Sequence, residues 1–94
     1  MNRRILSVSD INNHVKNILE DDYILRNVYI KGEISNYKHH SSGHMYFTLK
    51  DKQGAVSAVM FKGSTSGLSF VPKEGMQVIV RASASVYVKT GQYQ

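Results

Sequence analysis

Ninety-four residues with 41% hydrophobic and 20% charged side chains are enough for one domain and too few for two, and the balance excludes disorder along the whole length. No cysteine is present, so disulfides, iron–sulfur clusters, thiol catalysis and Cys-based zinc knuckles are excluded; no apolar run exceeds four residues, which excludes a spanning helix. The net charge of +5 is uneven: residues 1–24 carry −1 and residues 25–94 carry +6, a balance that favours polyanionic partners for the second part. The first residues, Met1 to Ser7, hold no apolar stretch long enough for a signal peptide, so the expected location is cytoplasmic.

The first element is a helix. Ser7 is placed to cap it, with Asp10 three residues on to return a bond to the cap N–H, and Leu6 and Ile11 flank the cap as a hydrophobic staple. Ile11, Val15, Ile18 and Leu19 then form one apolar stripe, and Glu20-Asp21-Asp22, unfavourable at the negative end of a helix dipole, stops it. After Tyr23 the period changes to two. Val28, Ile30, Gly32 and Ile34 alternate with Tyr29, Lys31, Glu33, Ser35 and Tyr37, which predicts a long strand with one buried face and a bulge or bend at Gly32. Lys38 to Gly43 is a polar loop. Met45, Phe47 and Leu49 point one way in a second strand, and Asp51-Lys52-Gln53-Gly54 is a tight hairpin turn. A third strand sets Val56, Ala58 and Met60 against Ser57, Val59 and Phe61. Residues 63–70 are too glycine-rich for a good strand and predict a connector with one helical turn. Pro72 to Gly75 is a turn, a fourth strand runs from Met76 to about Val88, and Lys89-Thr90-Gly91-Gln92 is another turn.

Helix, three meandering strands, a connector and a long fourth strand make a mainly β chain on the plan of an OB-fold, a five-stranded Greek-key barrel. An SH3-like barrel has shorter strands and no comparable connector. The expected division is a helix and linker over 1–24, packed on a barrel over 25–94 that stops at the start of its fifth strand. On that expectation the chain is a truncated piece whose third and fourth strands keep an open edge, and such edges recruit a second copy.

Catalytic motifs are wanting. Lys62-Gly63-Ser64-Thr65 has the residue types of a phosphate loop in the wrong order. His39, His40 and His44 share a loop with no carboxylate or cysteine to complete a metal site, so neither metal nor cofactor is expected. No Ser/His/Asp set or carboxylate pair stands at readable spacing, so no catalytic residue is assigned and the chain alone is not expected to be an enzyme. The aromatics say more. The alternation places Tyr29, Tyr37, Tyr46, Phe61 and Tyr87 opposite the aliphatic face, among Lys31, Lys38, Lys50, Lys62 and Arg81. Rings interleaved with cations on a curved sheet suit single-stranded nucleic acid, whose bases stack while its phosphates meet the cations. Tyr29 and Tyr87 are the rings expected to pack under the helix instead. Tyr46 and Tyr37 are the expected stacking residues, Lys38, Lys50, Lys62 and Arg81 the phosphate contacts, with Phe61 on the same face and His39, His40 and His44 at the groove mouth.

Three segments carry a resemblance: Gly32-Glu33-Ile34-Ser35-Asn36-Tyr37, Ser42-Gly43-His44-Met45-Tyr46-Phe47-Thr48-Leu49-Lys50-Asp51, and Val59-Met60-Phe61-Lys62-Gly63. With Leu6 to Asn12, Gly75 to Val78 and Ser85 to Tyr87 in the same order, the chain resembles the N-terminal domain of the bacterial exodeoxyribonuclease VII large-subunit family. It resembles more distantly the OB-fold anticodon-binding domains of class II tRNA synthetases, where an aromatic at the place of Tyr46 stacks on a base. The resemblance implies a parent hydrolase that degrades single-stranded DNA from either end, with many copies of a small subunit that the parent, not this domain, engages. It places the catalytic region outside these residues, and it implies a single-strand-binding module with no membrane partner. A protein-interaction module, docking another domain or the small subunit through the same aromatics, is the alternative.

Overall fold

The computed structural model describes residues 4–65 and 72–94 and divides into two compact units, Met1–Val28 with Arg81–Gln94, and Tyr29–Val80. In the first, helix α1 spans Val8–Asp21. The expected capping box is formed: the Asp10 amide donates to Ser7 Oγ at 3.0 Å, and the Ser7 amide donates to the Asp10 carboxylate at 3.1 Å. Asp22 ends the helix and then accepts from the Ile24 and Leu25 amides, a side-chain turn that leads the chain away. No α1 residue is buried. Ile11, Val15 and Ile18 remain 50%, 41% and 55% exposed, so the stripe that the spacing predicts exists but stays half open to solvent.

The second unit is built on strands β1 (Val28–His39), β2 (Met45–Lys50), β3 (Ala55–Met60) and β4 (Gln77–Ala82), with a one-turn helix α2 at Lys62–Thr65. Sheet order is β3-β2-β1-β4, so β3 and β4 are the two outer strands of the described sheet. Ile34, Phe47, Leu49 and Val78 form the buried core, and Ile30, Tyr37, Val56, Ala58, Met60, Met76 and Val80 pack against it half-buried. The alternation therefore holds through β2 and β3. Asp51 closes their hairpin by accepting from the Gln53 and Gly54 amides, both at 2.8 Å. Those two bonds hold its carboxyl below the ordinary carboxylate range.

Three expectations are corrected. Gly32 is not at a bulge: β1 runs through it, and a Cβ there would stand 3.2 Å from the Lys50 carbonyl oxygen, so the glycine answers to the close approach of β2. The register break lies further on, between Ser35 and Lys38. The fourth strand is also shorter than its alternation suggests. β4 ends at Ala82, and the chain re-forms as a hairpin of β5 (Val86–Tyr87) and β6 (Gln92–Tyr93). Between them the Ala84 amide turns to the Leu25 carbonyl, and Ser85 exchanges both backbone bonds with Gln94, which takes residues 84 and 85 out of any ladder with β1. Tyr87, expected under the helix, stays nearly half exposed, and Tyr29 more so. The hairpin is tied to α1 by polar bonds, Asn12 Nδ2 donating to the Val88 carbonyl at 2.9 Å and Ser85 Oγ to the Glu20 carboxylate at 2.7 Å. The connector has the expected helical turn in α2; its continuation over 66–70 lies outside the described residues.

Candidate nucleic-acid interface

Cross-strand partners share a face of a sheet, so the register states what stands beside what. Ser35, Thr48 and Ser57 form one row across β1, β2 and β3; Lys38, Tyr46 and Val59 form the next. On this outward face Tyr46, 44% exposed, stands one row beyond the small side chains of Ser35, Thr48 and Ser57. One row further along lie Glu33, Lys50 and Ala55, where Lys50 Nζ meets the Glu33 carboxylate at 3.4 Å. Lys50 thus reaches the face with part of its charge already answered, and the exposed pair contributes little to stability.

Tyr37 takes the other direction. Two residues of β1, Asn36 and Tyr37, stand opposite the single Phe47 of β2, because Ser35 pairs with Thr48 and Lys38 with Tyr46. The extra residue reverses the alternation: Tyr37 is half-buried against the core, and Lys38 moves to the face of Tyr46. Asn36 absorbs the kink with a left-handed backbone, φ 52°, which asparagine tolerates better than most residues. The bulge turns two successive amides to one side, where Glu74 accepts from Asn36 at 3.1 Å and from Tyr37 at 2.9 Å. The Tyr37 N–H bond holds the Glu74 carboxyl below the ordinary range against desolvation, with lesser help from the Asn36 amide, the Ser35 hydroxyl and the Lys50 charge. Sequence reasoning missed Glu74. Its only local signal was an asparagine inside a strand pattern, which marks the bulge but not its partner.

The loop from β1 to β2 is a turn closed by backbone bonds, His40 N–H to the His44 carbonyl and Gly43 N–H to the His40 carbonyl, both 2.9 Å. Gly43 has φ 95°, and a Cβ there would fall 2.8 Å from the Lys62 side chain, so glycine lets the lysine stem lie across the loop. Both His40 and His44 use Nδ1 as an acceptor, from the Ser42 amide at 3.0 Å and from the Lys62 amide at 2.8 Å. Each is thereby the Nε2–H tautomer when neutral. The His40 ring meets Tyr46 edge-on at 6.2 Å, and the His44 ring meets Phe61 edge-on at 5.4 Å; Phe61 is itself 58% exposed. His44 is therefore a brace between loop and connector. His39 pairs with Met45, on the face away from Tyr46, and is exposed at the strand end. Of the ten sequence-predicted residues, Lys38, His40 and Tyr46 come together around one exposed ring; His44, Phe61 and Lys62 form a second group at the same loop. Tyr37 is turned to the core, Lys50 is engaged by Glu33, and Arg81 is exposed in the other unit.

The comparisons agree with this geometry. The family model described as an OB-fold nucleic acid binding domain matches residues 6–94. The chain is 60% identical over 94 residues to the exodeoxyribonuclease 7 large subunit of Alkaliphilus metalliredigens, covering 100% of this chain and 23% of that protein. It is 52% identical over 91 residues to the protein of the same name from Clostridium acetobutylicum, covering 97% and 23%, and 56% identical over 90 residues to that from Halalkalibacterium halodurans, covering 96% and 20%. The chain spans less than a quarter of the length of these curated relatives.

Proposed function

The chain belongs to the family of OB-fold nucleic-acid-binding domains, and from that premise we propose that it binds single-stranded DNA without sequence preference and presents it to a nuclease region of a longer, cytoplasmic protein like the relatives above. The observation that carries this is Tyr46, an exposed aromatic on the outward sheet face beside the small side chains of Ser35, Thr48 and Ser57, with Lys38 directly across from it. A base stacks on Tyr46, and Lys38 and Lys62 meet the flanking phosphates. His40, its Nδ1 already used, has only its Nε2–H left to donate. The strand runs over residues 29–65. Hydrolysis of the strand, and association with a small subunit, belong to the longer protein.

A salt series with a fluorescent oligo(dT) tests the reading. Phosphates neutralised by Lys38 and Lys62 give a slope of log K against log salt of about −1.4 on a single strand. No binding, or binding indifferent to salt, contradicts it. The half-open stripe of Ile11, Val15 and Ile18 favours a second role in protein docking, and the outer positions of β3 and β4 favour pairing with a second copy. Sedimentation at micromolar concentration checks the latter, a stable monomer ruling it out.

A further inference from the structure

The second half of β1 departs from the register of its first half. From Glu33 to Ser35 the strand pairs regularly with Lys50 to Thr48. Continued without interruption, that register sets Asn36 opposite Phe47 and Tyr37 opposite Tyr46. The bulge sets Lys38 opposite Tyr46 instead. A one-residue slip moves every following side chain to the other face, so the choice decides whether the exposed ring has a cation or a second ring beside it. The regular register has two local advantages: it removes the left-handed backbone at Asn36, which is strained for a residue with a Cβ, and it turns the Tyr37 amide back to β2. Something outside β1 and β2 has to outweigh this.

We infer that Glu74 is the positioning residue that selects the bulged register and so places Lys38 beside Tyr46 on the nucleic-acid face. Its two carboxylate oxygens accept one each of the Asn36 and Tyr37 amides, as charge-assisted bonds stronger than neutral amide–carbonyl bonds. The carboxylate is itself fixed by its neighbours: the Gly75 amide donates to the Ile34 carbonyl at 2.7 Å and the Ile34 amide to the Met76 carbonyl at 2.9 Å, which anchors the backbone after Glu74 to the regular part of β1. An acidic side chain thus supports an anion-binding face through the backbone, without touching the ligand.

The inference rests on the single-strand reading above, and it has a consequence of unusual sign. Removing a negative charge beside an anion-binding face should tighten binding by simple electrostatics. If Glu74 holds the register, Glu74→Ala weakens binding instead. The test uses the 94-residue chain, oligo(dT) as probe, and proton NMR contacts across β1 and β2. In Glu74→Ala, Tyr46 exchanges its cross-strand contact with Lys38 for one with Tyr37; oligo(dT) affinity falls about five-fold, the scale of one lost close charge contact in water; and the salt slope becomes shallower by about 0.7, one phosphate contact on a single strand. Lys38→Ala gives the same losses, and the double variant loses no more than either. Glu74→Gln, which keeps one acceptor oxygen, falls between wild type and Glu74→Ala and covers the case in which the alanine variant does not fold. A Tyr46–Lys38 contact that persists in both Glu74 variants, or tighter binding in both, overturns the inference. The register contact is read without DNA, so an inert Tyr46→Ala would remove the binding reading while leaving the role of Glu74 decided on its own evidence.

Discussion

Tyr29–Val80 closes around Ile34, Phe47, Leu49 and Val78 from three strands, whereas Met1–Val28 with Arg81–Gln94 buries a single hydrophobic side chain among its described residues, Val86. The helical unit is held instead by the Ser7–Asp10 cap, the Asp22 turn and the Asn12 and Glu20 bonds to its hairpin. The two regions therefore depend on different physics. In the sheet unit, lost side-chain volume is costly because a close-packed core relaxes only partly. In the helical unit, apolar residues are already half in water, and single polar groups carry the order.

The sharpest way to break that contrast is Phe47→Ala, expected to cost about 3–5 kcal/mol in a urea melt. A loss under about 1 kcal/mol would mean that the core is not where the buried residues place it. Within the sheet unit the two tyrosines should separate. Tyr46→Ala should weaken oligo(dT) binding by about 1–3 kcal/mol with an unchanged urea midpoint, while Tyr37→Ala should lower the midpoint through lost core packing. The reverse pattern would put the stacking ring on Tyr37. In the helical unit, Ser7→Ala should cost about 1 kcal/mol of helix stability, read by circular dichroism on heating.

Acid sharpens the comparison further. The Asp51 carboxyl is depressed in the folded state, so its contribution is fully present above its unfolded value and is lost as pH falls through the lower folded value. Urea midpoints of wild type should therefore fall more steeply than those of Asp51→Asn below about pH 4. Parallel curves would show that the hairpin turn does not need the charge. The smallest effect belongs to Ile18→Ser, expected within about 0.5 kcal/mol because the side chain is half exposed. A larger loss would reveal that the α1 stripe is covered in solution.

Features set by neighbours in sequence were readable from the residues alone. The capping box needs Ser7 and Asp10 three apart, the hairpin turn needs Asp51 and Gly54, and the inward set Met45, Phe47 and Leu49 needs a period of two. The OB plan followed from the order of such pieces. What escaped depends on partners far along the chain. The kink at Asn36 is satisfied by Glu74, 38 residues away, and the end of β4 by backbone bonds from Ala84 to Leu25 and between Ser85 and Gln94. A single extra residue in β1 was enough to exchange the roles of Tyr37 and Lys38. The same holds for Lys50, whose partner Glu33 is visible only once the register is known.

Amide shift mapping of the labelled chain with oligo(dT) reads whether single-stranded DNA lies on the outward face around Tyr46. The expected shifts cluster at Lys38, Tyr46, Val59 and the His40–His44 loop, and leave α1 and the β5–β6 hairpin unmoved. Shifts confined to residues 4–28 and 81–94, or none at saturating oligonucleotide, would contradict the account.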